Sequence, residues 1–180
     1  MKNSEIIIKK KEKLIPIAGD FFLKDVVSLD QFDQKSIDVL FRQTNKIKKT
    51  TMKNGRLKSH PYRPLDGKII ALLFFEPSTR TFSSNSAAVK RLGGQTIEYQ
   101  NPLQNSSVVK GETIEDTTKM IEQYSDAIVI RHPQVGTAEK IAEVANIPVI
   151  NAGDGIGEHP TQALLDMFTI QEKKGTLEGI

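Results

Sequence analysis

Apolar and polar positions alternate in blocks from Lys68 onward. Ile69 to Phe75 (IIALLFF) is an unbroken apolar run, short and bounded by polar residues, and predicts a strand buried on both faces over Lys68–Phe75. Thr79 to Leu92 reads as a helix, with Ala87, Ala88, Arg91 and Leu92 in its body and Gly93-Gly94 as its stop. A short strand over Thr96–Tyr99 follows, then a polar loop from Asn101 to Lys110. Glu112–Tyr124 reads as a helix with Ile114, Thr118 and Ile121 on one face. Ala127–Ile130 is a strand, Gly136–Ala145 a helix and Pro148–Ile150 a strand. A glycine-rich loop then leads to His159, and Pro160 suits the first turn of a last helix reaching about Lys174. Ahead of this region, residues 1–27 show no period and read as an arm. Asp33 caps a helix in which Ile37, Leu40, Phe41 and Ile47 recur at helical spacing as far as Lys49. Asn54-Gly55 and Pro61–Gly67 mark turns and loop.

Repeated strand–helix alternation predicts an α/β domain, a parallel β-sheet flanked by helices on both faces. Ligands in such sheets bind outside the carboxyl ends of the strands, so the residues just after each strand carry the information.

Composition narrows the classes. The chain has 180 residues, 38% hydrophobic and 26% charged, as expected of a globular domain. No apolar run approaches the roughly 20 residues of a membrane span. Lys9-Lys10-Lys11 is not followed by an apolar signal region, so neither a signal peptide nor a membrane partner is expected. The absence of cysteine excludes disulfides, thiolate metal sites and a Cys nucleophile, and fits a cytoplasmic location. The net charge of +3 comes largely from Lys9–Lys13 and Lys46–Lys53. Without interleaved aromatics or a recognisable motif, it reads as a solvated surface, and no nucleic-acid partner is expected.

After the first buried strand comes Ser78-Thr79-Arg80-Thr81, at a helix entrance. Free backbone N–H groups and the positive helix end favour an anion there, the hydroxyls add donors, and the Arg80 fork fits phosphate oxygens. Plain capping by Ser78 or Thr79 is the alternative, but it needs a single hydroxyl. Arg131, at the next strand end, needs either a ligand or a structural carboxylate partner. His159 and Gln162 lie three apart at a helix start, where they face one side and either meet a ligand or merely cap and solvate the helix. Gly153, Gly155 and Gly157 are spaced G-x-G-x-G, which fails the dinucleotide fingerprint. There is no Walker lysine motif and no nucleophile elbow. His60, His132 and His159 have no metal-site spacing, so no metal and no cofactor is expected. Together, Arg80, Arg131 and His159 with hydroxyls and an amide suit binding a phosphate and polarising a carbonyl, as an acyl phosphate requires.

The ordered set F-x-E-P-S-T-R-T, R-L-G-G, K-G-E-T, D-A-I-V-I-R-H-P, N-A-G-D-G and H-P-T-Q-x-L-L-D resembles the aspartate carbamoyltransferase catalytic chain over roughly Ser28 to Ile180. Ornithine carbamoyltransferases share S-T-R-T and H-P-x-Q but usually lack the Lys-Gly-Glu-Thr, Arg-His-Pro and Asn-Ala-Gly-Asp-Gly elements. The resemblance implies one domain of the two-domain carbamoyltransferase fold. It also implies cofactor-free transfer of a carbamoyl group from carbamoyl phosphate to L-aspartate, early in pyrimidine synthesis. By that resemblance Ser78, Thr79, Arg80 and Thr81 hold the phosphate, with Arg80 and Thr81 reaching the carbonyl region. Arg131 and His159 bind the carbonyl oxygen, and Gln162 the carbamoyl amide. The polar loop, which by itself reads as merely exposed, would send Ser106 and Lys110 into a neighbouring subunit's site. Glu112 would pair across that interface with Arg80, giving a homotrimer, to which a regulatory chain can attach in the family. The implied division is an arm over 1–27, a carbamoyl-phosphate-binding domain over 28–158, and an interdomain helix with the start of an aspartate-binding domain over 159–180. Since the sequence stops where that second domain would begin, the chain is expected to be inactive alone. The alternatives are a non-catalytic, trimerising phosphate-binding module and an ornithine-type enzyme. Phe82, Asn85 and Ser86 depart from the family's common Arg, Phe and Glu, and Asn85 is expected to cost packing wherever it is buried.

Overall fold

The computed structural model describes residues 15–53, 56–57, 62–101 and 111–179. Helix α1 (Gln34–Thr51) starts at Asp33, whose carboxylate accepts the Ser36 N–H at 2.8 Å, so the predicted cap is present. Short strands β1 (Met52–Lys53) and β2 (Arg56–Leu57) pair antiparallel. The main body then runs β3 (Ile69–Phe74), α2 (Thr79–Arg91), β4 (Gln95–Gln100), α3 (Ile114–Ile121), β5 (Ala127–His132), α4 (Thr137–Val144), β6 (Val149–Asp154) and α5 (Pro160–Lys174).

The four longer strands form one parallel sheet in the order β4-β3-β5-β6. The apolar run of β3 lies inside it, and Ala71 and Leu72 are wholly buried. Alternate residues feed two cores. Leu73, Phe75, Ile128 and Ile130 pack with Ile121 of α3 and Ile141 of α4 on one face. Ile70, Leu72, Phe74 and Val129 pack with Val89 of α2 on the other, joined by Phe82. The sheet is therefore helix-covered on both sides, which is why its two central strands, β3 and β5, open as continuous apolar runs.

Several boundaries differ from the sequence reading, each for a local reason. Helix α3 begins after Thr113, whose hydroxyl accepts the Asp116 N–H at 3.1 Å, so Glu112 precedes the helix. Strand β5 continues through Arg131 and His132 because the Phe75 N–H donates to the Arg131 carbonyl at 2.8 Å. Strand β6 takes in Asn151–Asp154, the first half of the expected glycine loop. Asn151 fits a buried strand because its amide donates to the Val27 carbonyl at 3.0 Å and its side-chain oxygen accepts the Gly153 N–H at 2.8 Å.

Residues 15–27 carry no period, yet 25–27 lie against the free edge of β6. Val26 bridges Ile150 in parallel, and its N–H donates to the Val149 carbonyl at 2.8 Å. Ile17 and Val27 are core residues.

At the β4 edge, Glu98 accepts hydrogen bonds from Ser86 (2.7 Å) and Lys90 (2.9 Å) of α2 and from Thr96 (2.7 Å). The Lys90 bond, then those of Thr96 and Ser86, hold its carboxyl at about 2, against 4.5 unperturbed. A folded-state value below the unfolded one contributes stability above pH 4.5 that is lost as pH falls towards 2. The Glu98→Gln protein should accordingly show a smaller loss of urea-unfolding free energy between pH 7 and pH 3 than the original. Equal losses would refute this role.

Candidate active site at the strand ends

Helix α2 leaves the end of β3 through Glu76-Pro77. Ser78 occupies the N-cap position with no side-chain capping bond, so simple capping does not account for its hydroxyl. The first-turn N–H groups have no acceptor within the helix. Thr79 and Arg80 are exposed and Ser78 and Thr81 half-buried around this positive helix end. Among the described residues Arg80 forms no ion pair, which leaves its guanidinium available to an anion.

The departures from the common family pattern are accommodated. Phe82 meets Phe74 edge-on with ring centroids 5.2 Å apart. Asn85 is half-buried and its amide donates to the Thr81 carbonyl at 2.8 Å, so its polar group is satisfied within the helix. Ser86 is the buried partner of Glu98.

Arg131 leaves the end of β5 half-buried. Its Nε donates to Glu76 Oε1 at 2.5 Å, and Nη1 lies 3.4 Å from the Ala152 carbonyl. The structural ion pair considered from the sequence is thus present. It binds through Nε, which leaves Nη2 for another acceptor, and it ties Arg131 to the residue two before Ser78. The register slips between Ile130 and His132, so that Ala152 and Gly153 together stand opposite Arg131.

His159 stands at the N-cap of α5, also without a capping bond from its side chain. Arg131 and His159 meet over Gly153. A Cβ built there would lie 3.1 Å from Arg131 Nη1 and 3.3 Å from His159 Cδ2, with a φ of +119°. Only glycine leaves both side chains in place. Burial first, and the Arg131 charge second, hold the His159 pKa below 6.5. The imidazole is therefore neutral near pH 7 and serves as a hydrogen-bonding group. Its Nδ1 lies 3.2 Å from Thr161 Oγ1.

Gln162 is exposed, and its amide donates along the helix to Asp166 Oδ1 at 3.0 Å. Its side chain has no bond to Arg131 or His159 among the described residues, and its backbone N–H donates to the His159 carbonyl at 3.0 Å. Glu112 is half-buried just ahead of α3. Ser106, Lys110 and His60 lie outside the described residues, as do the lysines of positions 9–13. Among the described residues no group of His, Cys, Asp and Glu is placed to hold a metal ion, and no helix is long and apolar enough to cross a membrane. Sequence reasoning missed Glu76 and Gly153. The only signal was their position, one in the Glu-Pro break after β3 and the other at the end of β6.

An anion-ready helix start, a paired arginine and a neutral histidine thus stand around the ends of three parallel strands of an α/β domain. The sequence profile of the family described as aspartate/ornithine carbamoyltransferase, carbamoyl-P binding domain, matches residues 24–172. The chain belongs to that family. It is 50% identical over 163 residues to a chloroplastic aspartate carbamoyltransferase of Arabidopsis thaliana, a match covering 89% of this chain and 40% of that protein. The aspartate carbamoyltransferase catalytic subunit of Thermococcus onnurineus is 46% identical over 157 residues, covering 87% and 49% respectively. Among solved structures, aspartate transcarbamoylase from Trypanosoma cruzi in complex with carbamoyl phosphate and aspartate superposes with a TM-score of 0.78 and 40% identity, covering 93% of this chain and 53% of that one. The catalytic subunit of M. jannaschii aspartate transcarbamoylase gives a TM-score of 0.75 and 40% identity, covering 87% of this chain and 49% of that one. The chain thus spans half or less of the length of these curated relatives.

Proposed function

We propose that this chain forms the carbamoyl-phosphate half of an aspartate carbamoyltransferase, with residues 28–158 as the binding domain and 159–180 leading into an aspartate-binding domain. The observation that carries the reading is the convergence of Arg131 and His159 over Gly153, beside the open start of α2. Ser78, Thr79, Arg80 and Thr81 cradle the phosphate. Arg131 and the neutral His159 donate to the carbonyl oxygen, and Gln162 turns from Asp166 to the carbamoyl amide. When the aspartate amine attacks the carbonyl carbon, charge builds on that oxygen and then on the departing phosphate. Fixed donors at both places lower the barrier without a nucleophile from the protein.

Ser106, Lys110 and Glu112 belong to this proposal as contributors across a homotrimer interface. The cytoplasmic location does too, although the plant relatives are chloroplastic. In this proposal aspartate is held by a second domain, outside the residues described here.

Calorimetric titration with carbamoyl phosphate tests the reading. The original protein should give saturable heat. Arg80→Ala, which removes the charge-assisted phosphate contacts, should weaken binding by about tenfold or more. No heat from a protein shown to be folded, or equal binding by the variant, would sink the assignment.

A further inference from the structure

The segment Asn151-Ala152-Gly153-Asp154-Gly155 contains a carboxylate that the proposed chemistry does not use. Asp154 is 6% exposed at the end of β6. Its Oδ1 accepts the Glu158 N–H at 2.7 Å, and its Oδ2 accepts the Gly136 N–H at 2.9 Å. Its own carbonyl accepts the Gly157 N–H at 2.9 Å, and its N–H donates to the Glu158 carbonyl at 3.2 Å. One side chain therefore closes the turn that delivers His159, since Glu158 is the residue before it. The same side chain fixes that turn to the start of α4, at the far end of the short connection leading out of Arg131.

The two connections also interlock sterically. A Cβ on Gly155 would fall 2.2 Å from the Pro133 carbonyl oxygen, and one on Gly157 would fall 2.6 Å from Asp154 Oδ1 and 3.0 Å from Val135 Cγ1. The β5–α4 and β6–α5 connections thus behave as one unit with the Asp154 carboxylate between them. A buried carboxylate with bonds to two backbone segments is a fixed joint, because releasing either N–H leaves a desolvated charge short of a partner.

We infer that Asp154 is a positioning residue for the carbonyl-binding pair: by joining the Gly136 and Glu158 backbones it sets where His159 stands relative to Arg131. Among the described residues its hydrogen bonds reach neither the phosphate cradle of α2 nor the side chains of Arg131, His159 and Gln162. Its effect should consequently fall on the carbonyl end of the ligand and spare the phosphate end. This deepens the function proposed above and rests on it.

The test compares two ligands on one folded protein. Asp154→Asn keeps the size of the side chain but sets an amide N–H against one of the two backbone donors. We expect this variant to lose about tenfold in carbamoyl phosphate affinity while inorganic phosphate binding stays within about twofold of the original. Equal losses for both ligands, or none, would overturn the inference. Proton NMR titration of the histidine ring signals gives an independent readout. The His159 pKa should rise as the ring leaves its buried place beside Arg131, even though removing a negative charge alone would lower it. An unchanged or lowered value would count against Asp154.

Gly157→Ala presses on the same carboxylate from an exposed position and should reproduce both changes if Asp154→Asn fails to fold. Failure of the original protein to bind carbamoyl phosphate would remove the proposed function. The histidine titration would still decide whether Asp154 places His159.

Discussion

Phe74→Ala is expected to cost about 3–5 kcal/mol of folding stability, the range for truncating a buried aromatic. Phe74 is 1% exposed at the end of a strand paired on both sides, so the cavity has little chance to collapse. Its ring is also the edge-on partner of Phe82, one turn into α2. Removing it takes away apolar support beneath the helix whose first turn is assigned to phosphate. The midpoint of thermal unfolding should drop by roughly 6–20 °C for a domain of this size. Phe74→Leu, which keeps most of the volume, should lose less than half as much. A loss below about 1 kcal/mol in Phe74→Ala would mean that the strand end is not the rigid platform described above.

The second large effect belongs to a residue with no side chain. Gly155 has a φ of +58°, and a Cβ there would stand 2.2 Å from the Pro133 carbonyl oxygen. The left-handed backbone alone costs a non-glycine residue about 1–2 kcal/mol. The clash is with main chain, which cannot swing aside, and overpacking of this kind adds about 1–3 kcal/mol. Gly155→Ala should therefore lose about 2–5 kcal/mol. Gly175 is the natural control, because its φ is +84° but no atom lies within 4 Å of its Cβ position. Gly175→Ala should show the backbone cost alone, and the difference between the two variants in chemical denaturation measures the interlock. Equal losses would mean that the two connections do not constrain each other.

What could be read in the sequence, and what could not, follows from range. The β3 run, the Gly93-Gly94 stop, the Asp33 cap and Pro160 at the start of α5 act within a few residues, and each was found where local chemistry placed it. The start of α2 at Ser78–Thr81 was legible for the same reason, whereas the substrate roles proposed for its residues rest on the resemblance to carbamoyltransferases. The Glu76–Arg131 pair spans 55 residues, and the Asp154 joint reaches back 18 to Gly136. No local period encodes either. The length of β6 was hidden because Asn151 looks like a loop residue until its amide is seen to bond Val27.

The strap formed by residues 25–27 has a consequence for the order of events at the ribosome. Val149 donates to Asp25 Oδ1 and Asn151 to the Val27 carbonyl, each across 124 positions. At roughly 5–20 residues per second, the strand that receives the strap is synthesised roughly 6–25 s after the strap itself. During that interval Val26 and Val27 have no edge to join. Assembly of the sheet's last seam is therefore timed by translation, with an early segment waiting for the late strand that will hold it.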